Sequence, residues 1–170
     1  MSMEFIRKLP IPQDIKEQFP LSEEIKRIKA ERDSQIANIF KGEDDRFLLI
    51  IGPCSADRED AVLDYMKKLR EVYEKVKDVL FIVPRVYTNK PRTTGEGYKG
   101  MVHQPDPSGK SDLYKGIIAT RHMHIRAIAE TGFVFADEID INKIKDIYPK
   151  EYVYDNKTEL VGEYTVGEGE

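Results

Sequence analysis

A strand–helix–strand pattern between residues 47 and 86 constrains the fold of this chain more than any other feature. Residues 47–51 and 80–86 are apolar runs, the second interrupted by Arg85, and residues 57–77 between them carry apolar side chains at helical spacing. Continuous apolar runs are typical of strands buried on both faces of a parallel sheet. Parallel strands joined by a helix form a right-handed crossover, so the pattern predicts an α/β fold.

Further signals extend this alternation in both directions. Ser22 is placed as the N-cap of a helix that ends at Gly42. Residues 112–130 predict another helix, and residues 133–136 predict a third buried strand. Three prolines in residues 1–20 favour an extended arm, in which residues 14–19 could form a short turn. The loop 95–110 is long enough to be functional.

Composition narrows the classes of partner. The net charge of −4 gives no general attraction to nucleic acid or to an anionic membrane, so any anion site must be local. No apolar run approaches the ~20 residues that span a bilayer, and the N-terminus lacks the apolar core of a signal peptide. The single cysteine excludes a disulfide framework within the chain. We therefore expect a cytoplasmic protein of one domain.

Polar residues gather where the predicted strands end. The carboxyl ends of parallel strands form one rim, where ligands bind. That rule places together Cys54-Ser55, Arg85, Lys90 to Thr94, and Asp137-Glu138. Arginine and lysine bind phosphates and carboxylates, so the rim predicts a site for a small anion. The alternative is a solvated turn with ion pairs, but a buried Arg85 in an apolar strand would need a partner.

Other candidate residues leave alternatives open. Cys54 could be a nucleophile, a soft metal ligand or an inert small side chain. Glu138 could act as a general acid or base, orient a ligand, or pair with a cation of the rim. His122 and His124 are two residues apart on a predicted helix, point to different sides and make a poor metal pair. We interpret both as surface or packing residues.

The ordered motifs resemble those of the type I 3-deoxy-D-arabino-heptulosonate 7-phosphate (DAHP) synthases, in the microbial branch regulated by aromatic amino acids. The resemblance covers about residues 5 to 140. Its motifs are Asp44-Asp45-Arg46, Gly52-Pro53-Cys54-Ser55, Arg85-Val86-Tyr87, Lys90-Pro91-Arg92-Thr93-Thr94, Gly97-Tyr98-Lys99-Gly100, Gln104-Pro105-Asp106-Pro107, Ala119-Thr120-Arg121 and Asp137-Glu138.

This resemblance implies a (β/α)8 barrel with an N-terminal helical extension. It also implies a transferase that condenses phosphoenolpyruvate with erythrose 4-phosphate and needs a divalent metal, in the first step of the shikimate pathway. Cys54 would be a metal ligand, and Arg85 and Lys90 would bind phosphoenolpyruvate as catalytic residues. Lys90, Pro91, Arg92 and Thr93 would also bind erythrose 4-phosphate, with Glu138 in the same pocket.

The chain departs from that pattern in length. A full barrel takes about 250 residues, and the chain has 170. We expect an arm and helix at 1–45, the first three βα units at 46–140, and a divergent acidic tail at 141–170. The family's later metal ligands have no matching motifs here, so we expect the chain alone to be inactive. The alternatives are a non-catalytic interaction or regulatory module and a different phosphosugar-binding barrel. The N-terminal arm could form the subunit contacts of a homo-oligomer.

Overall fold

Helices and parallel strands alternate along the part of the chain that this computed structural model describes, residues 8–90 and 97–137. The elements in chain order are α1 (Pro12–Gln18), α2 (Glu23–Lys41), β1 (Phe47–Ile51), α3 (Glu59–Val76), β2 (Leu80–Val86), α4 (Leu113–Thr131) and β3 (Ala136–Asp137). The strands lie in the order β1-β2-β3, and both neighbouring pairs are parallel. The predicted α/β class and the parallel crossover are therefore confirmed.

The helix ends follow from local hydrogen bonding. The Ser22 hydroxyl accepts a bond of 3.2 Å from the Ile25 amide, and α2 ends at Gly42, whose φ of 73° is left-handed. The carboxylate of Asp112 caps α4 in the same way, with a bond of 3.0 Å from the Lys115 amide. The predicted N-cap Ser22 and the predicted end of α2 at Gly42 are confirmed.

The two faces of β2 are covered by different helices. Ile82 and Val86 belong to the main core, with side chains from α3 and α4, such as Met66 and Met123. Phe81 and Val83 pack in a second cluster with Ile36 of α2. Because side chains alternate along a strand, Arg85 and Tyr87 continue the face of Phe81 and Val83, beyond the residues that α2 covers.

Burial of β1 was predicted wrongly. We expected a strand buried on both faces, but Phe47 is 66% exposed and Ile50 is 53% exposed in the described structure. The reason is position: among the described residues, β1 is an edge strand of a three-stranded sheet, with β2 as its one neighbour. An apolar run identifies a strand without identifying what covers it.

Two further differences from the predictions concern the first helix and the last strand that the structure describes. Within the described residues the third strand is Ala136–Asp137. Phe133, Val134 and Phe135, which we predicted to lie in it, are buried but form no ladder. In the predicted extended arm, residues 12–18 form the helix α1. Pro12 suits its first position, and Asp14 accepts a hydrogen bond of 3.3 Å from the Ile11 amide.

Across the described ranges, no helix is long and apolar enough to cross a membrane.

Candidate functional site

The carboxyl ends of β1 and β2 approach each other closely. A Cβ atom built on Gly52 would lie 1.7 Å from the carbonyl oxygen of Arg85, so only glycine fits there. Beyond the strand, the amide of Ala56 donates a hydrogen bond of 3.0 Å to the carbonyl of Tyr87. These contacts hold the segment after β1 along the end of β2. They bring the motif around Cys54 next to the motif around Lys90.

Cys54 and two cations form a cluster at this rim. Lys90 Nζ donates to Cys54 Sγ at 3.4 Å. The same Nζ lies 5.5 Å from the centroid of the Tyr87 ring, and Arg85 Cζ lies 4.3 Å from it. The aromatic ring therefore contacts both cations, an arrangement in which its π face is attracted to positive charge. Cys54 is exposed, so a ligand can reach it from solvent.

The backbone around Lys90 is held by its neighbours. Its amide donates a bond of 2.9 Å to the carbonyl of Lys99, and the carbonyl of Thr88 accepts a bond of 3.1 Å from the Val102 amide. A Cβ on Gly100 would lie 2.1 Å from that Thr88 oxygen, so the loop packs directly on the strand end. His103 Nε2 lies 3.1 Å from Asn89 Oδ1. The long loop thus supports the rim.

A tyrosine of the long loop has a perturbed pKa. The Tyr98 hydroxyl lies 3.5 Å from the carbonyl oxygen of Ala56, in the segment that follows β1. Burial disfavours the charged phenolate and, with a smaller contribution from Asp57, raises the pKa of Tyr98 to about 12. Tyr98 is therefore a neutral packing and hydrogen-bonding group of this loop at physiological pH.

The predicted site residues fall into two groups. Cys54, Arg85 and Lys90 lie within the described structure and gather at one rim, as the parallel topology predicted. Pro91, Arg92, Thr93 and Glu138 lie outside the described residues. Among the residues that are described, no carboxylate pairs with Lys90.

The two histidines of α4 point to different sides, as predicted. His122 Nδ1 lies at the surface, 3.2 Å from Glu59. His124 is buried, and its ring centroid lies 4.5 Å from that of Phe135. His124 also contacts Asp137, which in turn bonds to Thr88. Sequence reasoning missed this contact and the place of Tyr87, because neither leaves a local pattern.

A metal site is incomplete in the described part of the chain. Within residues 8–90 and 97–137, no group of three or more His, Cys, Asp or Glu side chains could hold a metal ion. Cys54 is a suitable soft ligand by itself, but its neighbour there is the Lys90 ammonium. The described residues alone therefore do not fit a catalytic metal, which needs several ligands.

Comparisons with known proteins agree on one family. Residues 18–147 match the model of the DAHP synthetase I family. The phenylalanine-inhibited phospho-2-dehydro-3-deoxyheptonate aldolase of Saccharomyces cerevisiae is 39% identical over 119 residues, 69% of this chain and 31% of that protein. The phospho-2-dehydro-3-deoxyheptonate aldolase of Amycolatopsis methanolica is 34% identical over 138 residues, 79% of this chain and 68% of that protein.

A solved structure supports the same conclusion. The phospho-2-dehydro-3-deoxyheptonate aldolase of Francisella tularensis superposes with a TM-score of 0.74 at 29% identity, over 81% of this chain and 40% of that chain. The chain spans about a third of the length of most of the curated relatives that it matches. Examples are the yeast protein, at 31%, and the tyrosine-sensitive phospho-2-dehydro-3-deoxyheptonate aldolase of Escherichia coli, at 33%.

Proposed function

Because the chain belongs to the DAHP synthetase I family, we propose that it provides part of the substrate site of a 3-deoxy-7-phosphoheptulonate synthase. The reaction joins phosphoenolpyruvate, erythrose 4-phosphate and water into DAHP and phosphate. The βα units predicted for 46–140 are the start of a (β/α)8 barrel. Support comes from the parallel strand order and from the likeness to the Francisella tularensis structure.

One observation carries this proposal: Arg85, Lys90 and Cys54 meet at the carboxyl end of the sheet. Cys54 follows β1, whereas Arg85 lies in β2 and Lys90 follows it. Lys90 contacts Cys54, and both cations contact the ring of Tyr87. The overall charge of the chain is negative, so this local positive charge is what attracts a phosphorylated anion. The carboxyl end of parallel strands is where ligands bind in barrels and open sheets.

Each side chain has a distinct proposed role. The Arg85 guanidinium binds the carboxylate or phosphate of phosphoenolpyruvate in a bidentate manner. The Lys90 ammonium contacts the same substrate near the reacting centre as a compact charge. Pro91, Arg92 and Thr93 bind erythrose 4-phosphate, and Glu138 belongs to the same pocket. These roles of Pro91, Arg92, Thr93 and Glu138 follow from the family motifs alone.

Cys54 is the proposed metal ligand of this chain. When bound, a divalent ion supplies Lewis acidity toward a substrate oxygen. Because the described residues provide one such ligand, we expect the chain by itself to hold the metal weakly and to release no phosphate from the two substrates. Steady metal-dependent phosphate release by the purified chain would contradict this expectation.

Ligand binding tests the proposal without requiring turnover. We expect isothermal titration calorimetry to detect phosphoenolpyruvate binding to the full chain. A charge-assisted hydrogen bond contributes about 1.5–3 kcal/mol, so Arg85→Gln and Lys90→Gln should each weaken binding by at least about tenfold. The control is Lys68→Gln, whose partner is the exposed Asp64 on α3, and which should leave affinity unchanged. A folded wild-type chain without measurable binding would refute the proposal.

The exposed edge of β1 supports a second candidate, a non-catalytic module that pairs with a full-length synthase subunit. Phe47, Ile50 and Ile51 are all more than two-fifths exposed in the described structure, and exposed apolar strand edges favour association. Size-exclusion chromatography with and without a full-length relative tests it. Co-elution that is lost in Phe47→Lys would favour this role, and separate elution of the two proteins would exclude it.

A further inference from the structure

A buried carboxylate links two strand ends at the proposed site. The side chain of Asp137, at the end of β3, is 3% exposed. Its Oδ1 accepts a bond of 3.0 Å from the Thr88 amide, and its Oδ2 accepts one of 2.6 Å from the Thr88 hydroxyl. Thr88 is itself fully buried. Both carboxylate oxygens of one residue are thus bonded to a single threonine 49 positions away in sequence.

These bonds lie next to the described pairs of the β2–β3 ladder. Within the described residues, the final aligned pair between β2 and β3 is Val86 with Asp137. Two residues beyond Val86, the Thr88 amide donates its hydrogen bond to the Asp137 side chain. Because a buried amide without a partner costs free energy, this carboxylate determines the path of the chain after β2.

His124 lies against the same carboxylate. Its Nε2 is 3.3 Å from Asp137 Oδ2, its side chain is 3% exposed, and its ring packs on Phe135. Within the described ranges neither ring nitrogen has an aligned hydrogen bond. The histidine excludes water from the Asp137–Thr88 pair, and in such surroundings a hydrogen bond to a carboxylate is strong.

We propose that Asp137 is a positioning residue for Lys90. The carboxylate fixes Thr88, two residues before Lys90, and so holds the lysine ammonium at its place beside Cys54. The inference rests on the proposed function, because it assigns the geometry of that same site. Asp137 itself contacts neither Lys90 nor Cys54 in the described structure, so its effect passes through the backbone of residues 88–90.

Four variants separate positioning from general support of the fold. Asp137→Asn removes the negative charge, and Thr88→Val removes the hydroxyl while keeping the shape of the side chain. Thr88→Ser retains the hydroxyl and is the conservative rescue. The control Asp64→Asn changes an exposed carboxylate on α3 that pairs with Lys68. The far-ultraviolet circular dichroism of each variant establishes that the helices have formed.

Two measurements on the full chain report on Lys90. The first is the yield of a short amine-to-thiol cross-link between Lys90 and Cys54, measured by peptide mass spectrometry. The second is the affinity for phosphoenolpyruvate. A misplacement of about 1 Å can lower a catalytic rate on the order of a hundredfold. We therefore expect a displaced Lys90 in Asp137→Asn and Thr88→Val to lower the cross-link yield and the affinity for phosphoenolpyruvate by at least about tenfold. Thr88→Ser and the control should stay within about twofold of the wild type.

The outcomes distinguish this inference from the proposed function. If the wild type binds phosphoenolpyruvate but Asp137→Asn and Thr88→Val keep its affinity and cross-link yield, the positioning role is wrong and the function stands. If the wild type binds no phosphoenolpyruvate but the cross-link yield falls in both variants and returns in Thr88→Ser, the function is wrong and the positioning stands. If Asp137→Asn fails to fold, the comparison of Thr88→Val with Thr88→Ser tests the positioning role instead, because Asp137 is unchanged in both variants.

Discussion

Replacing Gly52 with alanine should separate the two strand ends on which the site is built. The added Cβ would lie 1.7 Å from the Arg85 carbonyl oxygen, whereas real Cβ contacts stay above 3.0 Å. The strand ends would therefore have to move apart by about 1.3 Å. The atom in the way is backbone, so no rotation of a side chain can relieve the contact. The nearest pair of the ladder, Ile51 with Pro84, is strained first.

The expected cost is large compared with the stability of a domain. Overpacking costs about 1–3 kcal/mol where side chains can yield, and here only backbone can, so we expect a loss of about 3 kcal/mol or more. The free energy of unfolding of a typical domain is about 5–15 kcal/mol. With a urea m-value of about 1.5 kcal/mol/M, the unfolding midpoint of Gly52→Ala should fall by about 2 M.

Gly42→Ala is the matched control. Gly42 has φ +73° but nothing within 4 Å of an added Cβ, so only backbone strain of about 1 kcal/mol is expected. Urea unfolding followed by circular dichroism compares the two variants with the wild type. If Gly52→Ala is destabilised no more than Gly42→Ala, the close approach of β1 and β2 at the site is wrong.

Two other predictions concern charged groups away from the rim. Arg32 is buried, and its Nη2 donates a bond of 2.7 Å to the Ile82 carbonyl. Arg32→Met leaves that carbonyl without this donor and should lower the free energy of unfolding in urea by about 2 kcal/mol. The control Arg27→Met changes an exposed arginine and should stay within about 0.5 kcal/mol of the wild type. Equal unfolding midpoints for the two variants would contradict this prediction. Hydrogen bonds from Arg46 lower the pKa of Asp44 to about 2, below the unfolded value of about 3.9. The stabilisation by this pair is therefore present above pH ~4 and is lost as the pH falls toward 2. In Asp44→Asn the free energy of unfolding should depend less on pH in that window. Parallel pH profiles for the variant and the wild type would refute the prediction.

The sequence predicted well those features that depend on neighbours along the chain. Ser22 caps α2 through a bond from the amide three residues on, and such a bond needs no distant partner. The parallel pairing of β1 and β2 followed from element order, because a helix between two strands is the usual connection of a parallel pair. Because the strands were predicted to be parallel, Cys54 and Lys90 were also predicted to lie on one rim.

Only the tertiary structure decided which groups touch. The exposure of Phe47 depends on the position of β1 at the edge of the sheet, which its apolar sequence does not encode. The Asp137–Thr88 pair joins residues 49 positions apart, and the partner of a buried carboxylate is set by packing rather than by spacing. Local hydrogen bonds and apolar periodicity thus determined the elements of this protein, whereas the contacts at the proposed site depend on how β1, β2 and β3 assemble.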